Sequence, residues 1–166
     1  MVERYIDLAK ELGMTGAVLL KPEQVFMDTR AVLKCRWGCE DYAKRTLKCS
    51  TRDTSFAERR GMIMSYKNIL LVHGHDAHEL SKAVLEIERR AFLDGNQFAF
   101  AVRYCKLCPK CALDAGKDCV HPEKMRPCDQ AFGIDVFRTA RQAGLPIRVL
   151  RQQDDKQDRY GFVLLN

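Results

Sequence analysis

NILLVHGHDAHELSKAVLEIERRAFLDGNQFAFAV, residues 68–102, spells a strand, a helix and a second strand. NILLV is an unbroken apolar run of strand length, the pattern of a buried strand. Asp76 is placed to accept from the free N–H groups of a helix start, with Glu79 three residues on. Leu80, Ala83, Val84, Ile87 and Ala91 then fall on one helical face, and Gly95 ends the helix. Phe98 to Val102 reads as the next strand and runs straight into Cys105. If the two strands are parallel, their crossover is right-handed. The unit is a rigid support for whatever leaves its far end.

What leaves it is CKLCPKCALDAGKDCVHPEKMRPC, residues 105–128. Cys105, Cys108 and Cys111 are each separated by two residues, so one loop can aim all of their thiolates at one small volume. Cys119 follows after a gap of seven residues and supplies a fourth ligand. A zinc knuckle pairs one CxxC with a second pair more than about a dozen residues away. Overlapping CxxCxxC with a more distant cysteine is instead the spacing with which ferredoxins wrap a four-iron cubane. The loop therefore reads as a [4Fe-4S] site on Cys105, Cys108, Cys111 and Cys119, with zinc as the alternative. His121, two residues after Cys119, is a candidate for hydrogen bonding a cluster sulfur.

Cys35, Cys39 and Cys49 form an earlier group, in CRWGCEDYAKRTLKC. If the segment after Gly38 is helical, Cys39 sits at its N-terminus, where the macrodipole favours a thiolate. Buried free cysteines are also ordinary core residues, and these spacings match no zinc knuckle. Arithmetic adds a further reading. Eight cysteines leave Cys128 over once the loop site is closed, and the earlier group lacks one ligand. A second site of Cys35, Cys39, Cys49 and Cys128 follows; the competing outcome is a three-cysteine cluster with one open iron. His73, His75 and His78 crowd into HGHDAH, and such a tract can hold metal. A strand end, a glycine turn and a helix cap account for the same residues.

Elsewhere, Val2, Tyr5, Ile6, Ala9 and Leu12 make the apolar face of a first helix that stops at Gly13. Gly16 to Leu20 reads as a strand, Pro22 breaks it, and Val25 to Met27 reads as a second. Gly133 to Gly144 reads as a helix presenting Val136, Phe137 and Ala140. Ile147 to Leu150 and Gly161 to Leu165 read as an antiparallel hairpin joined by RQQDDKQDR. The expected fold is α+β, helices packed on a mixed or antiparallel sheet with an inserted cysteine-rich metal-binding loop, in one domain spanning 1–166.

Hydrophobic residues make up 46% and charged residues 30%, ordinary for a folded soluble chain. MVERYIDLAKELG carries charges at helical spacing, so neither a secretory signal nor a membrane span is expected, and the cysteines are assigned to the reducing cytoplasm. The net charge of +6 is scattered, which argues against nucleic acid. Each four-thiolate site adds about −2, so two would bring the total to about +2. There is no GxGxxG after a strand, no Walker lysine motif, no GxSxG and no HExxH.

The combination of CRWGCEDYAK, CxxCxxCALDAGKDCVHPEKMRP and FGIDVFRTARQAGLPI resembles an uncharacterised bacterial and archaeal family of cysteine-rich, predicted metal-binding proteins, over roughly Ala31 to Ile147. The family's first cysteine region ends in cysteine followed by prolines, where this chain has Ser50 and Thr51 after Cys49. The resemblance implies metal binding and no particular reaction. The residues themselves point to an iron-sulfur protein, with one or two clusters, that passes electrons to a partner protein. A zinc-stabilised structural or binding module, and an enzyme with an open-site cluster at Cys35, Cys39 and Cys49, are the alternatives.

Overall fold

The computed structural model describes residues 1–44 and 47–166. In chain order its elements are α1 (Arg4–Glu11), β1 (Gly16–Leu20), α2 (Thr29–Gly38), α3 (Glu40–Ala43), α4 (Phe56–Met64), β2 (Asn68–Gly74) and α5 (Ala77–Leu93). β3 (Phe100–Val102), α6 (Asp129–Phe132), α7 (Val136–Gln142) and β4 (Arg159–Leu165) complete it. The class is α+β, with one open sheet in the order β1-β2-β4-β3 and every neighbouring pair antiparallel. Among the described residues no helix is long and apolar enough to cross a membrane.

Both faces of the sheet are covered, which is why β2 reads as a continuous apolar run. Leu70, Val72, Val163 and Leu165 pack under Tyr5 and Ala9 of α1 and the Leu80 to Ala91 stripe of α5. Ile69, Leu71, Phe162 and Leu164 point the other way, into Ile63 of α4, Phe132 of α6, Ile134 between α6 and α7, and Ala140 of α7. Alternation along each strand divides the two sets. Gly161 is where this packing is closest: a Cβ there would lie 2.8 Å from Val84 Cγ1 and 3.3 Å from Arg103 Cδ.

Asp76 caps α5 as its position suggests, accepting from Glu79 N at 2.8 Å. β2 and β3, being both antiparallel to β4, run parallel to one another, but β4 lies between them. The strand, helix, strand unit is thus split by the last strand of the chain. This arrangement removes the expected hairpin. With β2 on one edge and β3 on the other, β4 has no edge left, and Ile147 to Leu150 is not a strand: Val149 is exposed, while Ile147 packs beside the α7 cluster. Val25 to Met27 is likewise no full strand; it makes a single bridge, Met27 to Ile134, after a 3-10 turn at Pro22–Gln24. β3 starts at Phe100 rather than Phe98, because Ala99 N closes a turn onto Asn96 O.

Three helices, α2, α4 and the short α6, go beyond the sequence reading. α2 starts at Asp28, which accepts from Arg30 N at 2.8 Å, and α4 at Ser55, which exchanges hydrogen bonds with Glu58 in a capping box. Arg59 of α4 is buried and donates to Phe132 O at 2.9 Å and to Thr54 O, fastening α4 to α6.

Candidate metal centre

The cysteine loop leaves the sheet at the C-terminal end of β3, and the first turn of α5 holds its start. Ser81 Oγ lies 2.7 Å from Ala77 O and 3.2 Å from Tyr104 O, and accepts from Lys106 N at 3.2 Å. His78 Nδ1 is 3.0 Å from Lys106 O, so this histidine serves the loop's backbone. The far end is tied down as firmly: Arg126 forks onto the Glu88 carboxylate of α5, with Nε to Oε2 at 2.7 Å, and Arg103 N donates to Pro127 O at 2.9 Å. Between these anchors Cys111 precedes the 3-10 turn Ala112–Ala115. The charge environment shows what the loop gathers. Burial pushes the Cys105 thiol up; the Leu107 N–H opposes this, while Cys111, Cys119 and Cys108 add to the rise. Thiols that suppress one another's ionisation are relieved together by a metal cation, which deprotonates the thiols it coordinates. His121 is exposed at the head of the 3-10 turn Pro122–Lys124.

The earlier cysteines lie on α2 and the segment that follows it. Cys35, 3% exposed, sits on α2; Cys39 is the residue before α3, as the sequence predicts; Cys49 ends the 3-10 turn Leu47–Cys49. Cys35 is pushed up first by burial and then by Cys39 and Cys49, so these thiols share one environment. α2 packs against α6, whose N-terminal flanking residue is Cys128. The helix pair therefore brings the Cys35 segment and the Cys128 segment against one another.

Lys48 joins the two cysteine regions. Lys48 is buried, 3% exposed, and its ammonium pairs with Asp114 at 2.8 Å and with Asp41 at 3.7 Å and lies 5.5 Å from the centre of the Tyr104 ring. Burial pulls its pKa down, but Asp114, Tyr104 and Asp41 outweigh that and Cys111 adds to them, so the net direction is up. Tyr104 donates to Asp41 Oδ2 at 2.8 Å, and burial together with that carboxylate pushes its phenol up to about 12. One buried cation thus holds Asp41 beside Cys39, and Asp114 beside Cys111, in a single network.

Arg103 supplies the test of whether these residues suit an anionic cluster. Its side chain is buried, 6% exposed, and among the described residues its Nε and Nη2 have no hydrogen-bond partner. Burial pulls the guanidinium's pKa down, and Asp129 and Cys128 push it back. Cys128 is held well above the usual thiol range, chiefly by burial and then by Asp129. A buried cation with two unused donors beside a thiol is a costly arrangement unless an anion occupies the place. Thiolates bound to a cluster are such an anion, and the residues fit.

Neither Arg103 nor Lys48 is visible as functional in the sequence, since a basic residue carries no mark of burial. The sulfur separations are equally invisible there. Among the described residues the set of three ligand atoms all within 4.8 Å of one another is His73, His75 and Asp158, and no trio of cysteines meets that limit. A cleft of about 470 Å³ is lined by Lys48 and Ser50, which flank Cys49 in sequence, by Pro127, which precedes Cys128, and by Arg59, Phe100 and Phe132 among others.

Comparison with curated proteins and with solved structures finds no match to the chain. A family model does match, over residues 18–165, taking in both cysteine regions and all of the sheet except the first two residues of β1. The chain belongs to the DUF2284 family of predicted metal-binding proteins.

Proposed function

We propose that this metal-binding protein is an iron-sulfur protein, with a [4Fe-4S] cluster on Cys105, Cys108, Cys111 and Cys119 and a second on Cys35, Cys39, Cys49 and Cys128, that passes electrons to a partner protein in the cytoplasm. The observation that carries the reading is the spacing of Cys105, Cys108, Cys111 and Cys119 along the chain. A tetrahedral zinc site holds its thiolates about 3.8 Å apart, given Zn–S bonds of about 2.3 Å. Here no three cysteine sulfurs lie within 4.8 Å of one another among the described residues, although Cys105 feels the charge of Cys108, Cys111 and Cys119. The overlapping CxxCxxC run with the more distant Cys119 suits a cubane, whose ligands attach to separate irons.

Such clusters supply one-electron chemistry when bound. The chain's own contribution is to hold the thiols, exclude water and place positive charge. Lys48 and Arg103 offset the negative charge of two thiolate sets, and Lys48 spans the gap between them.

One observation favours a second reading, an enzyme with an open-site cluster at Cys35, Cys39 and Cys49: the residues on either side of Cys49 in sequence, Lys48 and Ser50, line a 470 Å³ cleft with room for a small molecule. Counting iron in Cys128→Ser protein separates the readings. Loss of about half the iron is expected for the four-ligand site. Unchanged iron, with a spectrum that shifts on adding small ligands, would instead assign an open iron to the earlier group.

A further inference from the structure

His73, on β2, leaves one face of the sheet, and His75, just past the strand's last residue Gly74, sets its ring edge-on to that of His73 with centroids 4.9 Å apart. That face carries Ile69, Leu71 and Tyr160. The β2–β4 ladder pairs His73 with Tyr160 and ends at Gly74 with Arg159, so one further step of the same register sets His75 opposite Asp158. The result is a compact donor set at the end of the sheet from which the cysteine loop departs. His73 Nε2 is 2.9 Å and His75 Nδ1 3.8 Å from Asp158 Oδ1, and the ligand atoms all lie within 4.8 Å of one another. His78 takes no part, being engaged with Lys106 O.

We propose that His73, His75 and Asp158 bind a divalent transition-metal ion, separate from the cysteine sites. A tetrahedral ion with bonds of about 2.0–2.1 Å to nitrogen and oxygen spaces its ligands by about 3.3 Å, which falls between the 2.9 and 3.8 Å observed here. The cation slips between groups that already face one another. The His73 ring is held for this by stacking on Tyr160 at 4.9 Å, and Tyr160 in turn donates to Pro146 O. His75 Nδ1 also lies 3.1 Å from Gln157 O, a contact that ligation replaces.

Imidazole and carboxylate suit zinc, cobalt or copper rather than the softer thiolate chemistry of the cysteines. Asp158, its side chain 10% exposed, lines a cleft of about 660 Å³ through which an ion and its solvent reach the site. Lys34, Arg103, Arg148 and Arg159 line the same cleft, so the open coordination position faces basic side chains that favour water or a small anion there. Arg103 also feels the charge of Cys128, so it stands between this cleft and the second cysteine group.

Cobalt(II) is the probe. Full-length protein isolated without oxygen, its cysteine sites as loaded, is titrated with cobalt(II) and followed by absorption. About one equivalent is expected to bind with visible bands of a nitrogen and oxygen site and no sulfur-to-cobalt charge-transfer band. His75→Gln and Asp158→Asn should each weaken cobalt binding at least about tenfold. Asparagine keeps a hydrogen-bonding group beside His73, so iron content and melting temperature should stay unchanged in that variant. Absence of the visible bands in the parent protein, bands carrying sulfur charge transfer, or bands retained by both variants would overturn the proposal.

Discussion

Arg103 shows how one side chain can be explained only by something bound next to it. Its Nε and Nη2 are buried without partners, and the groups that act on its charge include Asp129 and Cys128. In the absence of an anion this guanidinium is a liability, so Arg103→Met should leave the metal-free protein as stable or raise its stability by about 1–2 kcal/mol. The same change should lower the iron retained on isolation; a metal-free protein that unfolds while iron binding is untouched would assign Arg103 a purely structural task. Asp28 gives a cleaner electrostatic expectation. Arg30, through its side chain first and its N–H second, holds the Asp28 carboxyl at about 2, against an ordinary value of 3.8. A lowered folded value stabilises the start of α2 above pH 3.8, and that contribution is lost as pH falls through about 2. A carboxyl NMR titration with its midpoint near 3.8 would contradict this. At this scale the cysteines were readable as candidate ligands, because cysteine spacing is chemistry written directly in sequence. Lys48, Arg103 and Asp158 were not, since only folding decides which charged residues are buried and what they meet.

Gly133 joins α6 to α7 with φ at +104°, and a Cβ there would lie 2.7 Å from Phe56 Cε2. Gly133→Ala combines an unfavourable backbone conformation with a displaced aromatic ring, and should cost about 2–3 kcal/mol, measured by urea denaturation. An unchanged midpoint would mean the α6–α7 junction adapts freely. This junction matters because Cys128 stands at the start of α6 and Asp28 N reaches Gly133 O at 2.9 Å, linking it to α2. The elements that were legible, α1, β1, β2 and α5, each carry both a period and a stop signal within a short window. Ile147 to Leu150 has the composition of a strand, yet strand formation needs a free partner edge, and β2 and β3 had taken both edges of β4. Long-range pairing of that kind leaves no local trace. The α4 start did leave one, Ser55 with Glu58 three residues on, a capping box that patterning alone could have found.

Taken whole, the molecule is a sheet covered on both faces, with cysteines gathered where β3 ends and where α2 and α3 meet. Split pairing fixes that gathering: β4 locks β2 and β3 in place, α5 spans them, and the first turn of α5 together with Glu88 holds both ends of the loop. Lys48 then ties the two cysteine regions into one body, a link that the bare cysteine count anticipated only as a shortage of one ligand. If both regions carry cubanes, the protein's metal content is a whole-molecule number. Iron and acid-labile sulfide should therefore be counted in brown protein isolated without oxygen. The account predicts about eight of each per chain for two four-iron clusters. Colourless protein that holds zinc, with neither iron nor labile sulfide, would contradict it.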